Sequence, residues 1–198
     1  MFDLLETFKI ENGKIAHLAY HQARVNRSLL DLYQLENSFS LEDFIKTQAL
    51  PTSGIYRGRL LYEQEIKHFE ILPYKEQHIQ TFQLVDAGEY EYPYKWADRD
   101  FFAAQKKLHQ SDEIIYFSNN KIQDCSIANL AFFKNGQWYT PKSPMLAGTT
   151  RARLLDEHKI QELDIFTDEI HQYERICLIN VFRELSFENS LLLADCIL

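Results

Sequence analysis

The chain has 198 residues, with 21 basic and 29 acidic side chains, so its formal net charge is −8. Hydrophobic residues make up 45% of the sequence and aromatic residues 14%, which is enough to bury one large core or two small ones. The basic residues do not cluster, and binding to a phosphate backbone or an anionic membrane requires such clusters. We therefore exclude nucleic acid and membrane surfaces as expected partners.

Targeting and metal-binding signals are also missing from the sequence. No apolar run approaches the roughly 20 residues of a membrane-spanning helix, and the N-terminal residues lack the basic and apolar regions of a signal peptide, so we expect a cytoplasmic protein. The cysteines, Cys125, Cys177 and Cys196, are widely spaced and form no Cys-x-x-Cys pair. This pattern favours free thiols over disulfides, and we expect no metal site.

The N-terminal part begins with a predicted hairpin and helix. Asn12-Gly13 lies between two short strand-like runs, which is the pattern of a type I′ turn. From Tyr20 to Tyr33 the apolar residues have helical spacing, and this predicted helix contains Arg24. The same spacing puts His21 and Arg24 on another side of the helix from its apolar residues.

A second helix and two strands complete the predicted N-terminal domain. Ser40 is a predicted N-cap for a helix at 41–48, and strands rich in branched and aromatic residues follow at 55–62 and 66–72. The polar stretch 73–80 begins with a proline and predicts a linker. We therefore divide the chain into an α/β domain at 1–75 and a second domain at 76–198.

In the second domain, strands at 113–117, 122–126, 129–134 and 137–140 are predicted to form an antiparallel meander. Aromatic and apolar residues at helical spacing predict a helix at 98–109, so Lys95 is expected on or just before its N-terminus, where the macrodipole disfavours a cation. A lysine that reacts through its neutral amine needs such a field or desolvation. Position alone is weak support, because most lysines at such junctions are solvated.

Two further features carry chemical information. Asp124 is the lone carboxylate in an uncharged run, so it is either buried with a partner or exposed on an alternating strand. Gly148-Thr149-Thr150 opens a predicted helix and has the composition of a phosphate-binding N-terminus, although an ordinary Thr N-cap would have the same composition. No serine-hydrolase, Walker or Rossmann fingerprint occurs in the sequence.

Taken together, these segments resemble the aminotransferase class IV family, the fold-type IV pyridoxal-phosphate (PLP) enzymes. The resemblance spans almost the whole chain in the family's order. Its segments are Glu6-Thr7-Phe8-Lys9-Ile10 with Gly13 and Ile15, His21-Gln22-Ala23-Arg24-Val25, Tyr94-Lys95-Trp96-Ala97-Asp98-Arg99, Asp124 through Asn129, Trp138-Tyr139-Thr140-Pro141, and Leu146-Ala147-Gly148-Thr149-Thr150-Arg151.

The resemblance implies roles for particular residues. Lys95 matches the lysine that forms the Schiff base with PLP and shuttles protons, and it is the one predicted catalytic residue. Asp124 stands where the family usually has a glutamate facing the pyridine nitrogen, and is one methylene shorter. Arg24 matches the arginine that binds the PLP phosphate.

The remaining cofactor-binding residues are implied in the same way. Thr149 and Thr150 match the phosphate cup at a helix start, Leu146 matches the side chain under the ring, and Asn180 falls in a later loop that approaches the phosphate. The implied fold is α+β with two small domains, an antiparallel sheet with helices followed by a pseudo-barrel of mainly antiparallel strands, as in D-amino-acid aminotransferase.

The resemblance is strongest to aminodeoxychorismate lyases and implies a homodimer that acts on a small amino substrate. The leading expectation is conversion of 4-amino-4-deoxychorismate to 4-aminobenzoate and pyruvate. A D-amino-acid or branched-chain-type aminotransferase is the first alternative, and a family member that binds the cofactor without turnover is the second.

Overall fold

The structure is a computed structural model that describes residues 3–36 and 39–198, and the chain forms two compact units. The first unit comprises Met1–Glu76 together with Tyr94–Asp98, and the second comprises Gln77–Pro93 and Arg99–Leu198. The short Tyr94–Asp98 segment contains Lys95. This residue therefore belongs to the first unit, although its neighbours along the chain on both sides belong to the second.

The first unit is a four-stranded antiparallel sheet, in the order β2-β1-β3-β4, with two helices. Its elements are β1 (Leu4–Glu11), β2 (Lys14–Ile15), α1 (Leu18–Tyr33), α2 (Leu41–Lys46), β3 (Ile55–Tyr62) and β4 (Ile66–Pro73). Asn12 and Gly13 both have positive φ, 50° and 76°, as a type I′ hairpin turn requires, and the predicted hairpin is confirmed. The predicted cap is also confirmed, because the Ser40 side chain accepts a hydrogen bond from the Asp43 amide at 3.1 Å.

Alternation along β1 decides which face of this sheet is buried. Leu4 and Phe8 are fully buried and pack with Val25 and Leu29 of α1. Glu6 lies between them on the same face and is also fully buried. The apolar face of the strand therefore carries one carboxylate directed to the same side as α1.

The second unit contains a five-stranded sheet, in the order β10-β9-β8-β11-β12, and a three-stranded sheet, β5-β6-β7. The pairs β5–β6 and β9–β10 are parallel, and the other strand pairs are antiparallel. The strands are β5 (Phe82–Asp86), β6 (Glu113–Ser118), β7 (Lys121–Cys125), β8 (Asn129–Lys134), β9 (Gln137–Pro141), β10 (Gln161–Leu163), β11 (Arg175–Ile179) and β12 (Leu191–Leu192). The helices are α3 (Asp100–Leu108), α4 (Thr149–Asp156), a 3₁₀ helix (Thr167–Gln172) and α5 (Leu193–Cys196).

The core of this unit is made largely of aliphatic and aromatic residues from both sheets, among them Phe82, Ile115, Leu130, Phe132 and Ile176. All three cysteines are buried free thiols, as predicted. In the described ranges, none of the helices is both long and apolar enough to cross a membrane.

The position of Lys95 differs from the sequence prediction. Helix α3 begins at Asp100, five residues after Lys95, and Lys95 lies in a segment without regular secondary structure instead. The next residue, Trp96, forms an isolated antiparallel bridge with Leu4. A macrodipole acts within the first turn of a helix, so the expectation that α3 opposes the charge of Lys95 was wrong.

Candidate functional site

The predicted site residues fall in both units, and in each unit a buried carboxylate accepts a hydrogen bond from at least one of them. The first unit contributes Arg24 and Lys95. The second contributes the others, Asp124, Leu146, Thr149, Thr150 and Asn180.

Arg24 is held by Glu6 in the interior of the first unit. The guanidinium donates from Nε to Glu6 Oε1 at 2.7 Å and from Nη2 to Glu6 Oε2 at 2.6 Å. His21, one helical turn earlier on α1, donates from Nδ1 to Glu6 Oε2 at 2.6 Å. Both helix residues are therefore buried, 1% and 7% exposed for His21 and Arg24, although their spacing suggests a polar face.

The charges in this cluster follow from its contacts. Burial by itself raises the pKa of Glu6, but the charge of Arg24 and the hydrogen bonds from His21 and Arg24 outweigh it, so the pKa falls to about 2. Burial lowers the pKa of His21, against the effect of Glu6. At neutral pH the cluster therefore holds an ionised Glu6, a neutral His21 that carries its proton on Nδ1, and a cationic Arg24.

Lys95 is held at the edge of the same unit by backbone hydrogen bonds. Its carbonyl accepts a hydrogen bond from the Leu5 amide at 2.8 Å, and the Ala97 amide donates to the Asp3 carbonyl at 2.8 Å. The charge of Lys95 contributes to the lowered pKa of His21. Two positive side chains, Lys95 and Arg24, therefore act on one histidine in this unit.

Asp124 is the centre of the group in the second unit. It lies on β7 and is 4% exposed, which excludes the solvent-facing alternative. Its Oδ1 accepts from Asn129 Nδ2 at 2.7 Å, and its Oδ2 accepts from the Leu146 amide at 3.0 Å. Asn129 Nδ2 also donates to the Leu146 carbonyl at 2.8 Å, so one amide group fixes both the carboxylate and the backbone of Leu146.

The environment of Asp124 opposes its ionisation. Burial raises its pKa to about 7, and the hydrogen bonds from Leu146 and Asn129 and the charge of Arg151 lower it only in part. A carboxylate can accept about four hydrogen bonds. A cation that approached this group would favour its charged form, and the carboxylate would have acceptor capacity for it.

Helix α4 begins next to this network. Its N-cap is Gly148, so neither threonine caps the helix and the Thr N-cap interpretation is wrong. A Cβ atom on residue 148 would lie 1.9 Å from Asn129 Oδ1, which explains why glycine occupies the position. Thr149 and Thr150 form the first turn and are both buried, and first-turn amides and hydroxyls are suitable donors to a phosphate.

Asn180 shapes the turn that follows β11. Its Oδ1 accepts from the amides of Phe182 at 2.8 Å and Arg183 at 3.1 Å, and its Nδ2 donates to the Ile127 carbonyl at 3.1 Å. Ile127 lies in the loop after Asp124. The side chain of Asn180 therefore ties its turn to the loop between β7 and β8.

Two residues of the site have no role predicted from the sequence, Glu6 and Asn129. The signal for Glu6 is its alternation with Leu4 and Phe8, because a carboxylate on an apolar strand face needs a buried partner. The signal for Asn129 is weaker. An asparagine at the start of a strand is usually a turn residue. Its role as a hydrogen-bond donor could be inferred only if Asp124 were already known to be buried, since a buried carboxylate needs donors.

The sequence and the structure both match known proteins. The family model described as "Amino-transferase class IV" matches residues 67–187. An uncharacterised protein of Haemophilus influenzae is 37% identical over 190 residues, which cover 93% of this chain and 100% of that protein.

Solved structures match over nearly the whole chain. A candidate 4-amino-4-deoxychorismate lyase from Haemophilus somnus 129PT has a TM-score of 0.82 and 34% identity, covering 93% of this chain and 98% of that one. A hypothetical aminotransferase from Mycobacterium tuberculosis, solved with α-ketoglutarate and PMP bound, has a TM-score of 0.72 at 13% identity, covering 91% and 77%. These matches confirm the α+β fold class and the family resemblance.

Proposed function

Because the chain belongs to the aminotransferase class IV family, we propose that it is a PLP-dependent enzyme that converts 4-amino-4-deoxychorismate to 4-aminobenzoate and pyruvate. The observation that carries this proposal is the buried Asp124 carboxylate, held by Asn129 and by the backbone of Leu146. The candidate lyase that is 34% identical over 98% of its own chain supports the choice of reaction.

The described residues fit PLP as a ligand. Asp124 is suited to a protonated ring nitrogen, because a cation beside a carboxylate whose pKa is about 7 would keep it ionised. The first turn of α4 offers backbone amides and the hydroxyls of Thr149 and Thr150 to a phosphate. By the family resemblance, Arg24 would supply a guanidinium for the phosphate, and Lys95 would supply the amine that carries the cofactor.

The shorter carboxylate is compatible with this role. Asn129 donates to Asp124 at 2.7 Å and the Leu146 amide donates to it at 3.0 Å. These two hydrogen bonds fix the orientation of the carboxylate. Leu146 is fixed by the same asparagine, and it is the residue expected under the ring. The amide group of Asn129 therefore fixes both the carboxylate that would pair with the ring nitrogen and the residue that would lie under the ring.

In the proposed reaction, bound PLP supplies an electron sink for the charge left on the substrate when a proton leaves carbon. Lys95 would remove that proton, the bond between the substrate ring carbon and the enolpyruvyl oxygen would break, and Lys95 would return the proton to the methylene carbon of the departing enolpyruvate, which gives pyruvate. Asp124 would pair, in its ionised form, with the protonated ring nitrogen. The two products contain all the atoms of the substrate, so no second substrate is consumed.

Binding is tested first. We expect the purified chain to take up PLP with a change in visible absorption, and borohydride reduction to leave the cofactor attached to the peptide that contains Lys95. Lys95→Ala should abolish the attachment, while Lys107→Ala, at an exposed lysine of α3, should not. Absence of any PLP uptake by the unaltered chain would refute the proposal.

The reaction is tested next, with the loaded protein and 4-amino-4-deoxychorismate alone. We expect equal amounts of 4-aminobenzoate and pyruvate without an added keto acid. An aminotransferase would need an α-keto acid acceptor, and a cofactor-binding protein without activity would yield neither product. Those two outcomes identify the alternatives.

We further propose that the protein is a homodimer, as its resemblance to the family implies. Light scattering on the purified protein should give twice the mass of the chain. The mass of a single chain at micromolar concentration would contradict this.

A further inference from the structure

We propose that Glu6 is a positioning residue for the cofactor, one that fixes the guanidinium of Arg24 so that it can bind the PLP phosphate. This inference rests on the proposed function, because it takes Arg24 to be a phosphate ligand. It concerns a residue of β1 for which the sequence predicts no role.

The geometry of the pair restricts Arg24 strongly. A guanidinium bound only through a terminal nitrogen can still swing about its side-chain torsions. Here Nε and Nη2 bind the two different oxygens of Glu6, at 2.7 and 2.6 Å, which fixes the plane of the group. At least two of its five donors bind Glu6, and the directions of the others are then determined.

His21 fixes the carboxylate in turn. Its Nδ1 donates to Glu6 Oε2 at 2.6 Å, and its ring packs edge-on against Phe8 with centroids 4.8 Å apart. Glu6 and Phe8 lie on the same face of β1, so one strand positions both partners of the histidine. The orientation of Arg24 is therefore set from the rigid sheet rather than from its own flexible side chain.

Stability alone does not explain why an ion pair is buried between β1 and α1. A buried ion pair has to overcome the desolvation of two charges, and apolar residues of similar volume are often equally stabilising. Yet α1 turns His21, Arg24 and Ser28 into the interior beside Val25 and Leu29. Polar residues where the pattern of the fold requires apolar ones are expected at functional sites.

The charge balance of the cluster supports the same role. Glu6 is ionised and His21 is neutral, so the cluster has no net charge until an anion or a proton arrives. The charged groups that act on His21 are Glu6 of β1, Arg24 of α1 and Lys95 of the Tyr94–Asp98 segment. A phosphate bound to Arg24 would add to the negative charge of Glu6, so Glu6 must contribute through orientation rather than through attraction.

The experiment compares two ligands that differ only in the phosphate. Dissociation constants for PLP and for pyridoxal are measured by absorbance titration, and the dissociation constant of pyridoxal divided by that of PLP isolates the contribution of the phosphate. In Glu6→Gln we expect this ratio to fall by roughly tenfold, the loss of about one charge-assisted hydrogen bond, with pyridoxal affinity unchanged. Glu6→Asp, which keeps the charge but is one methylene shorter, should lower the ratio as well.

The matched control is Glu70→Gln. Glu70 also pairs with an arginine, Arg59, on the same sheet, but this pair is only half-buried and involves no residue of α1. The Glu70→Gln substitution should leave the ratio of dissociation constants unchanged. Near-ultraviolet circular dichroism establishes whether each variant is folded. If Glu6→Gln does not fold, Glu6→Asp provides the test.

The outcomes separate the two proposals. If the unaltered chain binds no PLP, the proposed function fails. If it binds PLP but the ratio in folded Glu6 variants is unchanged or increases, the function stands and the positioning role of Glu6 is refuted.

Discussion

Asn129 Nδ2 lies 2.7 Å from Asp124 Oδ1 and 2.8 Å from the carbonyl oxygen of Leu146. This single amide group joins the start of β8 to a carboxylate of β7 and to the loop before α4. Buried polar groups of this kind are costly when one partner is removed, because the remaining group keeps its desolvation penalty. The stability of the site therefore depends on a residue that is not expected to contact the substrate.

Replacing this residue gives the first prediction. Asn129→Ala should destabilise the protein by about 1–3 kcal/mol, because the Leu146 carbonyl loses a donor and Asp124 loses one of its bonds. Urea unfolding measures the change. Asn189→Ala, whose exposed side chain binds the Glu184 carbonyl, should change stability by no more than about 0.5 kcal/mol. Equal effects of the two substitutions would contradict this account of the network.

Asn129 also affects the ionisation of Asp124. Its hydrogen bond lowers the pKa of Asp124, so the pKa should rise further from about 7 in Asn129→Ala. Carbon-detected NMR of the carboxyl group during a pH titration measures this directly. An unchanged or lower pKa in the variant would show that the bond does not favour the charged form.

The pH dependence of stability is the next prediction. The pKa of Asp124 is raised on folding, from 3.8 to about 7, so its contribution to stability is fully present below pH 3.8 and is lost as the pH rises through 7. Without cofactor, Asp124→Asn should therefore gain stability relative to the unaltered protein between pH 5 and pH 8. Thermal unfolding at both values measures the difference, and other titrating groups cancel because they are common to both proteins. A difference that is the same at both pH values would refute the raised pKa.

Glu6 should behave in the opposite way. Its pKa is lowered on folding, from 4.5 to about 2, so its contribution is present above pH 4.5 and is lost as the pH falls toward 2. Glu6→Gln should cost about 3–5 kcal/mol at pH 7, because it removes the carboxylate that pairs with the buried charge of Arg24. The free energy of unfolding of this variant should also decrease less than that of the unaltered protein when the pH falls from 5 to 2. A variant with an unchanged acid-unfolding curve would exclude Glu6 as the responsible group.

The elements of the fold could be predicted where the cause is local. The Asn12-Gly13 turn and the Ser40 cap depend on conformations and hydrogen bonds within three residues, and both occur as predicted. The strands at 55–62 and 66–72 follow from their branched and aromatic residues, and β3 and β4 match them closely. Such features need no knowledge of the tertiary structure.

The site could be predicted only in part, because its remaining features depend on residues far apart in the sequence. His21 and Arg24 form a polar face of an isolated helix, and they become interior residues only when Glu6, 15 and 18 positions earlier, supplies a carboxylate. The sequence pattern places Lys95 at the start of a following helix, but the neighbouring Trp96 bridges to Leu4 on a strand far upstream. Periodicity within one segment contains no information on either pairing.

The close approach of Gly148 to Asn129 gives the last prediction. Residue 148 has φ −73°, which alanine adopts without strain, so Gly148→Ala should be costly only because its Cβ would lie 1.9 Å from Asn129 Oδ1. We expect a loss of about 1–3 kcal/mol in the unaltered protein and a smaller loss in Asn129→Ala, where the obstructing amide is absent. A double-mutant cycle from urea unfolding should therefore give a coupling of about 0.5–3 kcal/mol between the two positions.

The matched control for this cycle is Gly88→Ala. Gly88 has φ +59°, and a Cβ added there would have no atom within 4 Å, so alanine strains the backbone without touching a neighbour. That cost should be the same with and without Asn129. If Gly148→Ala were likewise insensitive to Asn129, the start of α4 would be constrained by something other than the amide that holds Asp124.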